Sequence, residues 1–177
     1  DAPEGKWKIM SFYLEYNVDS RLDYMDEAAI DQFISMTYEQ YAKRFNDFFG
    51  TTVRRSFFDD VGYLGNSRYW NAALTESFEN RYGKKAVLYY PALWYNIGSE
   101  TEAARIAFYG LRAELIGEGY PKKVGEGSTR HDLISMGHPP GNYEPTAVDM
   151  YGDPFKYYRH VPVPLMDAIH GYPYGRP

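Results

Sequence analysis

The chain has 177 residues, 24 acids against 19 bases, a formal net charge of −5 and no cysteine. No basic run exceeds two residues and no apolar run approaches the ~18 residues that cross a bilayer, so neither nucleic acid nor a membrane is expected as a main partner. Without cysteine there is no disulfide and no thiolate metal site. The length suits one domain. With 44% hydrophobic residues the chain can bury a core, and tyrosine leads the composition at 19 residues. Tyrosine offers a flat apolar face with a polar edge, which serves cores and sugar rings alike.

In chain order, residues 7–14 are dense in apolar and aromatic side chains and read as a first strand. They run into a polar turn that carries Glu15 and Asn17. Residues 27–49 read as one helix, because Ile30, Phe33, Ile34, Tyr41, Phe45 and Phe48 recur at three- and four-residue spacings. Asp26 is the expected N-cap and Gly50 the expected stop. Residues 53–58 form the second predicted strand. Residues 68–82 read as a helix ended by Gly83. Pro91 interrupts residues 86–95, which suits a short helical segment. Residues 101–124 read as one long helix, residues 132–136 as a third strand, and residues 139–153 as a loop rich in Pro, Gly, Asn and Asp. A short helical turn at 155–159 and a Pro-punctuated strand region at 161–169 complete the pass.

Strands alternating with helices imply a parallel sheet. The predicted fold is α/β, a partial (β/α)8 TIM barrel with parallel strands, spanning residues 1–177 as a single unit. A complete barrel usually needs ~250 residues, so the chain is expected to lack neighbouring barrel segments of a longer parent chain. Its ends, Asp1-Ala2-Pro3 and Tyr174-Gly175-Arg176-Pro177, fit that expectation. Each strand end is polar, and parallel barrels keep their chemistry there. The clearest case is Ser56-Phe57-Phe58-Asp59-Asp60-Val61-Gly62, an aromatic strand ending in two adjacent carboxylates. Two such carboxylates resist joint ionisation, and a proton retained at a strand end is what glycosidic cleavage uses. A solvated Asp-Asp turn is the alternative reading. His138 and Glu144 follow the third strand in the same way.

At these residues the chain resembles a family. Asp23-Tyr24-Met25-Asp26 before a helix, Thr37 and Tyr41 within it, and Phe48-Phe49-Gly50-Thr51-Thr52 after it resemble segments of large bacterial TIM-barrel glycoside hydrolases of the α-L-rhamnosidase type and their uncharacterised relatives. Phe57-Phe58-Asp59-Asp60 stands where that family carries phenylalanine–threonine–aspartate–glutamate. Trp70, Arg81-Tyr82-Gly83, Tyr90-Pro91-Ala92-Leu93 and Ser135-Met136-Gly137-His138 follow in the family's order, as does the stretch from Tyr158-Arg159-His160 to Pro164-Leu165-Met166-Asp167. The departure lies at Asp60, where the family's acid is a glutamate one methylene longer.

The resemblance implies hydrolysis of glycosidic bonds in plant or microbial oligosaccharides or polysaccharides by two carboxyl groups, with a periplasmic or secreted location. Asp60 is the expected acid, with Asp59 as its alternative, and Glu144 the expected base or nucleophile. His138, Asn17, Asp23, Trp94, Tyr95, Arg159, His160 and Asp167 are the expected substrate contacts. The residues themselves show no metal motif and no histidine pair at HExxH spacing. The resemblance permits a calcium ion near the sugar. Two other readings stand beside this one: a catalytically inactive carbohydrate-binding relative, and a metal-dependent α/β hydrolase.

Overall fold

Helix α1 (Glu27–Met36) begins where expected, with the Asp26 carboxylate accepting from the Ala28 and Ala29 amides. The computed structural model describes residues 3–13, 22–62, 69–141 and 152–167. The single helix expected over 27–49 is broken at Thr37. There the backbone leaves helical space (φ −119°, ψ −81°), and the Thr37 hydroxyl donates back to the Phe33 carbonyl at 2.6 Å. A hydroxyl bonded to the preceding turn competes with helix continuation. Helix α2 (Tyr38–Phe45) and a 3₁₀ turn at Asn46–Phe48 follow. Gly50, at φ 73°, then turns the chain into strand β1 (Arg55–Phe58).

Helix α3 (Ala72–Tyr82) is capped by Asn71, whose side chain accepts from the Leu74 amide, and Gly83 ends it in the left-handed region. Two 3₁₀ turns, Ala86–Leu88 and Tyr90–Leu93, occupy the stretch around Pro91. The long helix expected over 101–124 is two helices, α4 (Thr101–Glu118) and α5 (Tyr120–Arg130). They part at Gly119, where a Cβ would stand 2.5 Å from the Tyr24 carbonyl oxygen. Pro121 fits in the first turn of α5, where its missing amide costs nothing. Helix α5 runs six residues past the expected end. Gly125 and Gly127 weaken its helical pattern in sequence, yet Gly125 admits the His160 carbonyl, which would lie 3.1 Å from a Cβ there. Strand β2 (Ile134–Gly137), helix α6 (Pro154–Tyr158, capped by Asp153) and the two-residue strand β3 (Val163–Pro164) complete the described elements.

The three strands are parallel in the order β1-β2-β3, with Phe58 opposite Gly137 and Gly137 opposite Pro164. The fold is therefore mixed α/β with a short parallel sheet, part of a barrel rather than a closed one. One face of the sheet is covered by helices. Phe58 packs edge-on against Tyr120 of α5 and near Tyr157 of α6, in a core that includes Ile30, Ile34, Val124 and Val161. Each such large side chain is worth roughly 1.5–3 kcal/mol on burial. A second cluster joins Leu74 and Phe78 of α3 to Phe108 and Leu111 of α4, with Trp70 against it. The opposite sheet face is open, leaving Phe57 and Ile134 exposed.

The strand expected at residues 7–14 is not formed over the described residues 7–13, and residue 14 lies outside them. No ladder holds this stretch. The Trp7 indole donates to the Pro3 carbonyl, Phe12 rests on Trp94 at 5.3 Å, and Ile9 is fully exposed. A parallel strand needs an adjacent edge to bond its amides, and the segment here is not placed against one.

Three tyrosines link the helices to β1 from below. Burial lifts the Tyr38 and Tyr120 phenols above their ordinary value and Tyr157 well above it. Well below pH 10 both folded and unfolded chains keep these protons. Above it the unfolded chain releases protons that the folded chain retains, so stability falls with pH by up to about 1.4 kcal/mol per unit for each group. Urea unfolding between pH 8 and 11 should show this decline, and Tyr120→Phe should flatten it. An unchanged slope in that variant would contradict the burial.

Candidate functional site

The register of the sheet builds the site. Phe58, Gly137 and Pro164 are level, so Asp59, His138 and Leu165 stand one step beyond their strands at the same carboxyl edge. The Leu165 amide donates to the Gly137 carbonyl at 3.0 Å, which carries the pairing of β3 up to this level. Gly137 adopts φ 150°, and a Cβ there would run into the Phe58 carbonyl oxygen and ring. Only glycine lets β1 and β2 approach this closely while His138 turns to the open face.

His138 is nearly buried and lies between the two carboxylates. Its Nε2 is 3.1 Å from Asp59 Oδ1, and its Nδ1 is 3.2 Å from Asp60 Oδ1. The Phe57 ring stands edge-on to the imidazole at 6.2 Å. Asp59 is largely open to solvent, whereas Asp60 is 38% exposed. Asp60 Oδ1 is buried and accepts no aligned hydrogen bond, so its contact with Nδ1 is electrostatic. Asp60 also takes a left-handed backbone, φ 47°, which bends the chain so that consecutive aspartates reach different nitrogens of one ring. Aspartate tolerates that region better than most residues, though at a cost.

This arrangement differs from two carboxylates facing each other. Each ring nitrogen can donate to a carboxylate oxygen or accept from a protonated carboxyl. A proton held between an imidazole and two carboxylates is the equipment of general acid catalysis.

The donor atoms of Asp59, Asp60 and His138 lie within 4.8 Å of one another. They do not fit the calcium ion that the family resemblance permits. Calcium takes six to eight oxygen ligands, whereas this group offers two carboxylates and a buried ring nitrogen already facing both.

Of the other expected site residues, Asn17 and Glu144 lie outside the described residues. Asp23 has both oxygens engaged: Oδ1 accepts from the Met25 amide and Oδ2 from the Asn71 side chain, each at 3.0 Å. It ties the entry of α1 to the entry of α3. Trp94 and Tyr95 follow the second 3₁₀ turn, where Phe12 covers Trp94 and Tyr95 is exposed. Arg159 is exposed just after α6. His160 faces the helices, with Nε2 3.0 Å from Glu118 at the end of α4. Asp167 lies three residues beyond β3. The structure thus brings together Asp59, Asp60 and His138, and places Asp23 and His160 in contacts that organise the scaffold. Phe57 belongs beside His138 and was not singled out from sequence. Strand alternation was the available signal, since it puts Phe57, Asp59 and His138 on one sheet face.

No family model matches the sequence, and no curated protein matches it. Among solved structures, a rhamnosidase from Novosphingobium sp. PP1Y superposes with a TM-score of 0.60 at 18% identity, over 78% of this chain. The likeness is one of fold. This chain spans 13% of the length of that rhamnosidase.

Gly137→Ala tests the geometry. It combines backbone strain with an overlap on Phe58, so it should cost more than about 2 kcal/mol in urea unfolding. A change within about 0.5 kcal/mol, the range of neutral surface substitutions, would show that β1 and β2 are not so closely paired.

Proposed function

We propose that this chain carries part of the catalytic barrel of a glycoside hydrolase acting on an oligosaccharide or polysaccharide. The supporting observation is the imidazole of His138 set between Asp59 and Asp60 at the carboxyl ends of adjacent parallel strands. In this reading one carboxyl of that pair is protonated and gives its proton to the glycosidic oxygen as the bond to the anomeric carbon breaks, and His138 positions that carboxyl. Asp60 is the position that corresponds to the family's acid, and Asp59 is the more accessible of the two. Glu144 supplies the second carboxylate, either activating water or attacking the anomeric carbon. A separation of about 6.5–9.5 Å between the two carboxyls leaves room for water and inverts, whereas about 5–5.5 Å permits direct attack and retains. The rhamnosidase likeness supports the glycosidase class, and resemblance to that type favours inversion.

A second reading is a carbohydrate-binding relative without turnover. Its support is also at Asp60, whose Oδ1 is buried against His138 and whose side chain is one methylene shorter than the family's glutamate. Reach matters here, because misplacement by about 1 Å can cost 100-fold in rate.

Hydrolysis of aryl and alkyl glycosides separates these readings. Loss of a general acid slows poor leaving groups far more than good ones. Asp60→Asn should therefore lower kcat/KM by about 10²–10⁴ on an alkyl glycoside and much less on a dinitrophenyl glycoside. Glu144→Gln should depress both. Sugar binding without turnover in the unaltered chain would establish the second reading. Neither binding nor turnover would overturn the carbohydrate assignment.

A further inference from the structure

Helices α1 and α2 overhang an open groove beside β1. Its volume is about 460 Å³, and its walls include Phe33 and Ile34 of α1, Tyr41 of α2, Arg55 and Phe57 of β1, and Val124 of α5. Among the described residues β1 bonds only β2, so its other edge faces this groove. The Ile134 amide donates to the Arg54 carbonyl. Parallel alternation then turns the Arg55 and Phe57 amides toward the free edge. An apolar groove roofed by helices and floored by unpaired amides has the shape of a missing parallel strand.

We propose that residues 7–13 dock on the free edge of β1 as a fourth parallel strand and fill this groove. Three observations converge on this occupant. Residues 7–13 come before α1 in the chain, and α1 and α2 are followed by a 3₁₀ turn and then β1. A strand, a helical crossover and a parallel strand connect right-handedly in nearly all proteins, which puts the first strand beneath its own crossover helices. That place is the groove, because α5 covers β2 on one side while α1 lies beyond α5 over the edge of β1. Second, the segment is apolar on both alternating faces, Trp7, Ile9 and Tyr13 on one and Met10 and Phe12 on the other. Strands covered on both faces of a parallel sheet have that composition. Third, these side chains have no comparable shelter where they now lie: Ile9 is 100% and Tyr13 86% exposed. In the structure the segment is held by Phe12 on Trp94 and Tyr90, an attachment that docking would exchange for a ladder. The inference concerns the sheet and stands apart from the proposed hydrolysis.

Hydrogen exchange on the whole chain tests it. The Phe57 amide should exchange at least about 100-fold more slowly than an open strand edge, and Ile9→Pro should abolish that protection while Met136 in β2 stays protected. Fast exchange at Phe57 in the unaltered chain would overturn the proposal. Protection that grows with protein concentration would also overturn it, by assigning the edge to a second copy. Because the chain has no cysteine, a second measurement covers the case in which the proline variant fails to fold. Phe57→Cys is paired in turn with Ile9→Cys, Met10→Cys, Ser11→Cys and Phe12→Cys under mild oxidation. At least one pair should close within a monomer, and failure of all four, or crosslinking only as dimers, contradicts docking.

Discussion

The close pairing of Phe58 with Gly137 is the constraint on which the rest of the molecule depends. It fixes the register of β1 against β2 and therefore decides which residues emerge together at the carboxyl edge. Gly137 has no side chain to hold the strands apart, and its backbone lies in a region that side chains rarely adopt. The ring of Phe58 uses the space and turns toward Tyr120 and Tyr157, which anchors the strands to α5 and α6. A slip of one residue would reverse every side chain across the sheet and carry Asp59 and His138 away from each other.

The helical side supports this edge through a few specific contacts rather than through bulk alone. Asp23 clamps the starts of α1 and α3 together, and the Tyr157 hydroxyl donates to the Val61 carbonyl just after the aspartate turn. Gly119 lets α4 and α5 meet under the Tyr24 carbonyl. These contacts hold the backbone on both sides of Asp59 and Asp60, so the pair has a defined place although Asp59 itself is open to solvent. Arg112, buried in α4, lies with its guanidinium 5.5 Å from the Tyr109 ring centre.

Much of this was legible in the residues. The caps at Asp26, Asn71 and Gly83 mark helix ends by local chemistry, and local chemistry is visible in sequence. The aspartate pair and His138 stood out because each follows a β-forming run. The breaks at Thr37 and Gly119 were not legible. Thr37 sits between Ile34 and Tyr41 of an apolar stripe that continues on both sides of it, and the need for glycine at 119 comes from the Tyr24 carbonyl, which is 95 positions away in the chain. The glycines in α5 concealed a helix for the same reason, since Gly125 accommodates the distant backbone of His160. Residues 7–13 show the limit of pattern alone: the composition is that of a buried strand, yet a strand exists only where an edge receives it. His138 between two aspartates was beyond sequence too, because the separate directions of Asp59 and Asp60 follow from one positive φ.

In the proposed function the strand-end group of Asp59, Asp60 and His138 receives a saccharide. The chain contains four histidines, so its imidazole signals are few enough to assign by NMR. Titration with a panel of non-hydrolysable glycosides, followed through these ring protons, is the most direct measurement. Binding there should shift the His138 resonances in a saturable way with those of Phe57, while His131, which lines the groove beside β1, stays unchanged. Saturable shifts at His131 with His138 unmoved would contradict it.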